Sequence, residues 1–260
     1  MSGLSDALPA TRSDGFGGGD EITENLLLNT CRESSDHGPW NSWDRVPYIT
    51  TLRTGQPSII PADRRIHHNF VVGNYNSQAT IDTDDGSAYY QTYENFLAYA
   101  SNGMKSDYAG HDNVWTGNLI AYAGTCFGAW LRVAPPPIQL SSLYSNANTA
   151  SAPGAHLHFA DFGFDVYANT SFRGYNDAFV NNTCLFRSSY QSDCNWEHGL
   201  DESVSMDHNK VYSGSGALTI CGKSWDDWHN SSSTRDTGTT LGKWPSDGAL
   251  VSMAKQLLGF

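Results

Sequence analysis

Positive charge is scarce in this chain. Its 15 lysines and arginines face 27 aspartates and glutamates, giving a formal net charge of −12 and a pI near 5.0. No basic stripe exists to neutralise phosphates, which argues against a nucleic-acid partner. No apolar run approaches the ~18 residues that a membrane-crossing helix needs, so no membrane span is expected. The cysteines, at 31, 126, 184, 194 and 221, include no CxxC pair, so a zinc cluster is not expected either. Two pairings are open to them: Cys184 with Cys194 across a short loop, or Cys31 with Cys126. Long Ala/Glu/Lys/Leu stretches are missing too, which argues against an all-helical fold.

What the chain has instead is a short element that recurs. Asn69-Phe70-Val71-Val72, Asn95-Phe96-Leu97-Ala98 and Asn118-Leu119-Ile120-Ala121 begin 26 and then 23 residues apart, with an earlier copy at Asn25-Leu26-Leu27-Leu28. Short apolar runs between Gly/Asn/Asp turns, at a period in the low twenties, are the signature of a solenoid. Residues 1–20, Ser/Gly/Asp-rich, read as a flexible or truncated N-terminal segment, and 21–260 as a single domain. Regular coils are expected over 21–133 and less regular coils and loops over 134–260. Val46 to Arg65, with Pro47, Pro57 and Pro61, reads as a loop leaving the solenoid. Leu250 to Leu258 reads as a helix that caps its end.

The repeat also sets a register. Asp82 and Lys105 each lie 13 residues before the next leading Asn; Asp84 and Asp107 each lie 11 before. On neighbouring coils, Asp82 therefore stacks on Lys105 and Asp84 on Asp107. A preceding coil adds Asn41 over Asp82 and Trp43 over Asp84. Strand alternation sends Ile81, Thr83 and Met104 inward and the charged residues to an outer, solvent-facing groove.

The Asn-led coils with in-register polar stacks resemble the right-handed parallel β-helix proteins, the architecture of pectate lyases, polygalacturonases and related sugar-active enzymes. The likeness covers about residues 21–133, and the runs 32–45, 84–87 and 103–107 resemble one group of these proteins. It implies an all-β, right-handed parallel β-helix solenoid with long loops. Neither a polygalacturonase-type Asn-Thr-Asp and Asp-Asp set nor a pectate-lyase arginine motif is present, so the likeness implies the fold more than the chemistry.

Within the groove, Asp82, Asp84, Asp85 and Asp107 crowd four carboxylates together, which raises the proton affinity of at least one. Asp84-Asp85-Gly86-Ser87 is also a good turn sequence, but turn chemistry does not call for the Asp84/Asp107 register. Lys105 either neutralises the acidic column or serves the chemistry. His111, followed by Asp112, is a candidate proton shuttle. Asp36, His37, Arg45 and Asp85, with the rings of Trp40, Trp43 and Tyr89, form a candidate sugar-binding surface, since sugar C–H faces stack on aromatics while hydroxyls need polar partners. Tyr90 is expected in the core. His156 and His158 share a strand face without a third ligand at a telling spacing, and no metal site is assigned.

The leading expectation is a secreted, monomeric glycoside hydrolase acting on a polysaccharide or glycan without a cofactor. One Asp would be the acid and another the nucleophile or base. Lys105 keeps Asp82 ionised as base, and Asp84 or Asp107 is the acid; the diagonal Asp82/Asp107 spacing of roughly 8 Å points to inversion. A polysaccharide lyase using Ca²⁺ and Lys105 as base is the second reading. A non-catalytic glycan-binding or surface solenoid is the third.

Overall fold

The computed structural model describes residues 19–33, 37–43, 63–74, 79–84, 87, 89–100, 102–107, 112–130, 177–186, 204–214, 218–220, 223–230 and 236–260. Most of its strands fall into three parallel sheets. The first sheet orders β1 (Glu21–Thr23), β4 (Arg64–His67), β7 (Tyr90–Tyr93), β10 (Val114–Thr116), β13 (Asp177–Val180) and β15 (Val204–Asp207). The second orders β2 (Leu26–Leu28), β5 (Phe70–Val72), β8 (Phe96–Ala98), β11 (Leu119–Ala123), β14 (Thr183–Phe186), β16 (Lys210–Ser213) and β17 (Thr240–Gly242). The third holds β3 (Trp40–Trp43), β6 (Ile81–Asp84), β9 (Asn102–Asp107) and β12 (Thr125–Trp130). From β1 to β12 the chain visits the three sheets in rotation, and each strand pairs in parallel with its counterpart one circuit on; the described strands that follow continue the first and second sheets, an arrangement consistent with a parallel β-helix-like solenoid.

A two-residue bend joins the first sheet to the second, and it explains the recurring asparagine. The residue before each Asn is left-handed: Glu24, His68, Glu94, Gly117, Asn181 and His208 have φ of 58°, 53°, 53°, 67°, 58° and 56°. That conformation is unfavourable for most L-residues and needs a compensating contact. The Asn side chains supply it by stacking into a ladder. The amide Nδ2 of Asn25, Asn69, Asn95, Asn118 and Asn182 donates to Oδ1 of Asn69, Asn95, Asn118, Asn182 and Asn209 at 2.9, 2.9, 3.0, 2.9 and 3.4 Å. Each of those Oδ1 atoms also accepts the backbone N–H of the previous Asn, at 2.9 to 3.1 Å. The last rung is Thr239, whose hydroxyl accepts from Asn209 N–H at 3.0 Å and donates to the buried Asp236. Asn182 and Asn209 extend the ladder beyond the four asparagines that the repeat spacing reveals.

Between the sheets lies the core, built from Ile66, Val71, Ile81, Leu97, Met104, Trp115, Ile120, Phe127, Phe179 and Phe186, all at most 2% exposed. Tyr90 lies in this core, as its sequence suggests. Cys126 bonds to Cys184 across the interior, joining the third sheet to the second. Neither expected cysteine pairing is present among the described residues: Cys31 is free, and Cys194 and Cys221 lie outside them.

Two boundaries differ from the sequence reading. Arg64 and Arg65 belong to β4 rather than to the loop; Arg64 is buried, its Nη1 donating to Tyr90 Oη at 2.9 Å. The C-terminal helix, Asp247–Leu258, does not cap the stack. It lies across the outer face of the second sheet, packing Leu250 and Ala254 against Ala98, Leu119, Ala121 and Leu185. Ser246 caps its start through Ala249 N–H, and Gly259, at φ 77°, ends it. No described helix is long and apolar enough to cross a membrane. His156 and His158 lie outside the described residues.

Candidate functional site

The third sheet carries the charged residues, and its register is the one the repeat spacing implies. Trp40, Asn41, Ser42 and Trp43 pair with Ile81, Asp82, Thr83 and Asp84. Ile81, Asp82 and Thr83 pair in turn with Met104, Lys105 and Ser106. The pairing ends at Thr83 with Ser106, one residue short of Asp84 and Asp107. Alternation also holds on the inner side, where Ile81, Met104 and Phe127 are core residues.

The outer side differs from expectation. Asp82 is 0% exposed and Lys105 1%, so neither faces solvent; Asp84 retains 16%. Chain at Gly38 passes close over this column. A Cβ there would stand 3.2 Å from Asp82 Cβ and overlap the carbonyl oxygens of Ala79 and Trp40. Gly38→Ala is therefore expected to destabilise the fold by about 1–3 kcal/mol, as overpacking does. Urea titration checks this, and an unchanged midpoint would mean that the segment moves aside freely.

Lys105 lies between the two carboxylates, its Nζ 2.9 Å from Asp82 Oδ1 and 2.8 Å from Asp84 Oδ1. Burial is the largest influence on Asp82 and pushes its carboxyl up to about 6, against the opposing pull of Lys105 and Asn41; the Asp84 charge pushes the same way as burial. The loss of water outweighs the ammonium, so Asp82 binds its proton more tightly than a free carboxyl does, and at pH 7 a group titrating near 6 is still mostly ionised.

The remaining polar groups of the strand join the cluster to the next corner. Ser42 Oγ donates to Ser87 Oγ at 2.7 Å, and Ser87 Oγ to the Asp84 carbonyl at 2.6 Å. Ser87 N–H also bonds to the Asp84 carbonyl at 3.1 Å. The Thr83 hydroxyl donates to the Lys105 carbonyl.

No protein family, curated protein or solved structure gives a significant match to this chain.

The other candidates are dispersed. Trp40 packs against the core, edge-on to Tyr90 at 5.2 Å between ring centres, and is not an outer sugar platform. Tyr89, at φ 62°, sits at the corner before β7; burial raises its phenol pKa, helped by the charges of Asp112 and Asp63. His37 is exposed. Trp43 and Asp107 are placed by backbone register alone, while Asp36, Arg45, Asp85 and His111 lie outside the described residues. Among the described residues, no three His, Cys, Asp or Glu side chains gather as a metal site. Sequence reasoning missed Gly38 and the Ser42–Ser87 link. Neither carries a charge or repeats, so neither leaves a pattern to read.

Proposed function

We propose that this chain is a right-handed parallel β-helix protein that acts on carbohydrate as a glycoside hydrolase, with its chemistry centred on Asp84 and the Lys105–Asp82 pair beneath it. One observation carries the reading: a nearly inaccessible ammonium lies within 2.9 and 2.8 Å of two carboxylates. A purely structural pair would be balanced, and apolar residues would often serve the fold as well. Two carboxylates with one lysine leave a surplus charge in a dry place, an arrangement that clusters at working sites.

Asp84, the most exposed of the three, is the group a substrate can reach. Lys105 orients it, and Asp82, whose carboxyl is raised to about 6 and is therefore mostly ionised at pH 7, supplies the second negative charge beside the ammonium. Burial takes Asp82 out of direct contact with a sugar, so the reacting pair becomes Asp84 with Asp107. One strand spacing, about 4.8 Å, falls near the narrow separation of retaining enzymes, which replaces inversion as the expected outcome. The Cys126–Cys184 bond supports an oxidising, extracellular setting. Lys105, held between two carboxylates, is poorly suited to act as the base of a lyase.

A polysaccharide panel, read for reducing ends and unsaturated products together, tests the activity. On any substrate turned over, Asp84→Asn and Asp107→Asn should each lower kcat at least about 10³-fold with the fold retained. NMR should show the first-formed anomer keeping the substrate's configuration. Full activity in either variant overturns the assignment.

The burial of Asp82 and Lys105 favours a second reading, a non-catalytic glycan-binding solenoid. Tight binding with no product across the panel would establish it in place of the hydrolase.

A further inference from the structure

Away from the third sheet, two adjacent histidines meet nitrogen to nitrogen at the bend after β4. His67 Nδ1 lies 2.7 Å from His68 Nδ1, and Thr23 Oγ1 lies 3.2 Å from His67 Nδ1. The far nitrogen of each ring faces a carboxylate, with His67 Nε2 2.9 Å from Glu21 Oε1 and His68 Nε2 3.2 Å from Glu94 Oε2. The Tyr93 ring stacks on His67 at 4.5 Å and 8° between planes, fixing its orientation. Arg65 Nη2, 3.4 Å from Glu21 Oε2, occupies the other oxygen of that carboxylate.

Each Nε2 faces a carboxylate, and donation from Nε2–H to it leaves the two Nδ1 atoms turned toward one another. Two bare Nδ1 lone pairs at this distance would repel, and so would two N–H groups. The geometry is satisfied by one cation between the two nitrogens. Carboxylates holding the Nε2–H of two histidines while Nδ1 atoms converge is also how proteins orient metal-ligating imidazoles.

We propose that His67 and His68 bind a divalent transition-metal ion through Nδ1, with Glu21 and Glu94 as the carboxylates that orient them. Metal–nitrogen bonds of about 2.0 Å set cis ligands about 2.8 Å apart at 90° and about 3.3 Å apart in a tetrahedron. The observed 2.7 Å matches the right-angled case. Cu²⁺, which favours tetragonal coordination by nitrogen and oxygen, is the ion that fits, with Thr23 Oγ1 or water completing its sphere. The site is reachable: His68 is 35% exposed, and it lines with Glu94 a cleft of about 440 Å³ against the C-terminal helix.

The test is titration of the full chain with Cu²⁺, followed by calorimetry and electron paramagnetic resonance. The tightest equivalent should show a tetragonal signal with hyperfine coupling to two nitrogens. Affinity should fall about 10–100-fold in Glu21→Gln and Glu94→Gln. The two-nitrogen signal should be lost in His67→Ala and in His68→Ala, with circular dichroism confirming that each variant is folded. Absence of a stoichiometric equivalent in the wild type, or the same signal and affinity in the double histidine variant, overturns the proposal.

Discussion

Replacing Lys105 by methionine is expected to lower stability at pH 8 by about 3–5 kcal/mol, the usual cost of stranding a buried charge. The ammonium is the positive partner of both Asp82 and Asp84, and Lys105 and Asp82 are essentially closed to water. Methionine keeps the volume of the stem while removing the charge, so the loss reports electrostatics rather than a cavity. The defect should shrink at pH 5, where the stranded carboxylates take up protons. Urea denaturation at the two pH values reads the difference, and a variant as stable as wild type at pH 8 would show that the ammonium compensates nothing.

Asp82 predicts a pH dependence of its own. Its carboxyl is raised from 3.8 to about 6, so between those values the folded chain holds a proton that the unfolded chain has released. Wild-type stability should therefore fall as pH rises from about 4 to 6, by an amount on the order of 2–3 kcal/mol. Asp82→Asn should flatten that slope and leave Lys105 with Asp84 as a balanced pair. Identical pH profiles for the variant and wild type would contradict the raised pKa.

The asparagine ladder supplies the other large effect. Asn118→Ala should cost about 3–5 kcal/mol, because it strands several buried groups at once, each worth about 1–3 kcal/mol. Asn118 Nδ2 donates to the Thr92 carbonyl at 2.9 Å and to Asn182 Oδ1 at 2.9 Å, while its Oδ1 accepts both N–H and Nδ2 of Asn95 at 3.0 Å. Asn25→Ala, at the exposed end, should cost at most about 1 kcal/mol, since the groups it leaves can reach water. Denaturant midpoints for the two variants measure the contrast. Equal losses would mean that the ladder does not act through buried hydrogen bonds.

The ladder also explains how much of this protein can be read without coordinates. Each asparagine amide needs another directly above it, so the chain must return to that point after every circuit, and the spacing of Asn69, Asn95 and Asn118 records the return. Counting back from Asn95 and Asn118 was enough to pair Asp82 with Lys105, because backbone register carries over along a short, regular circuit; Asn41 over Asp82 came from aligning a preceding coil across the insertion, and the structure has that pair too. Asn182 lies 64 residues beyond Asn118, and so long an interval hides the same rung. Strand alternation assigned Asp82 and Lys105 to the outer side of the sheet, and it is silent on what lies over that side. Their burial depends on chain from other circuits, such as the segment at Gly38, and so does the rise in the Asp82 pKa. The same limit applies to Cys126 with Cys184, and to His67 and His68 with their glutamates. Local periodicity determines the side to which a residue points; only the packing of segments distant in sequence decides whether water, a carboxylate or another strand meets it there.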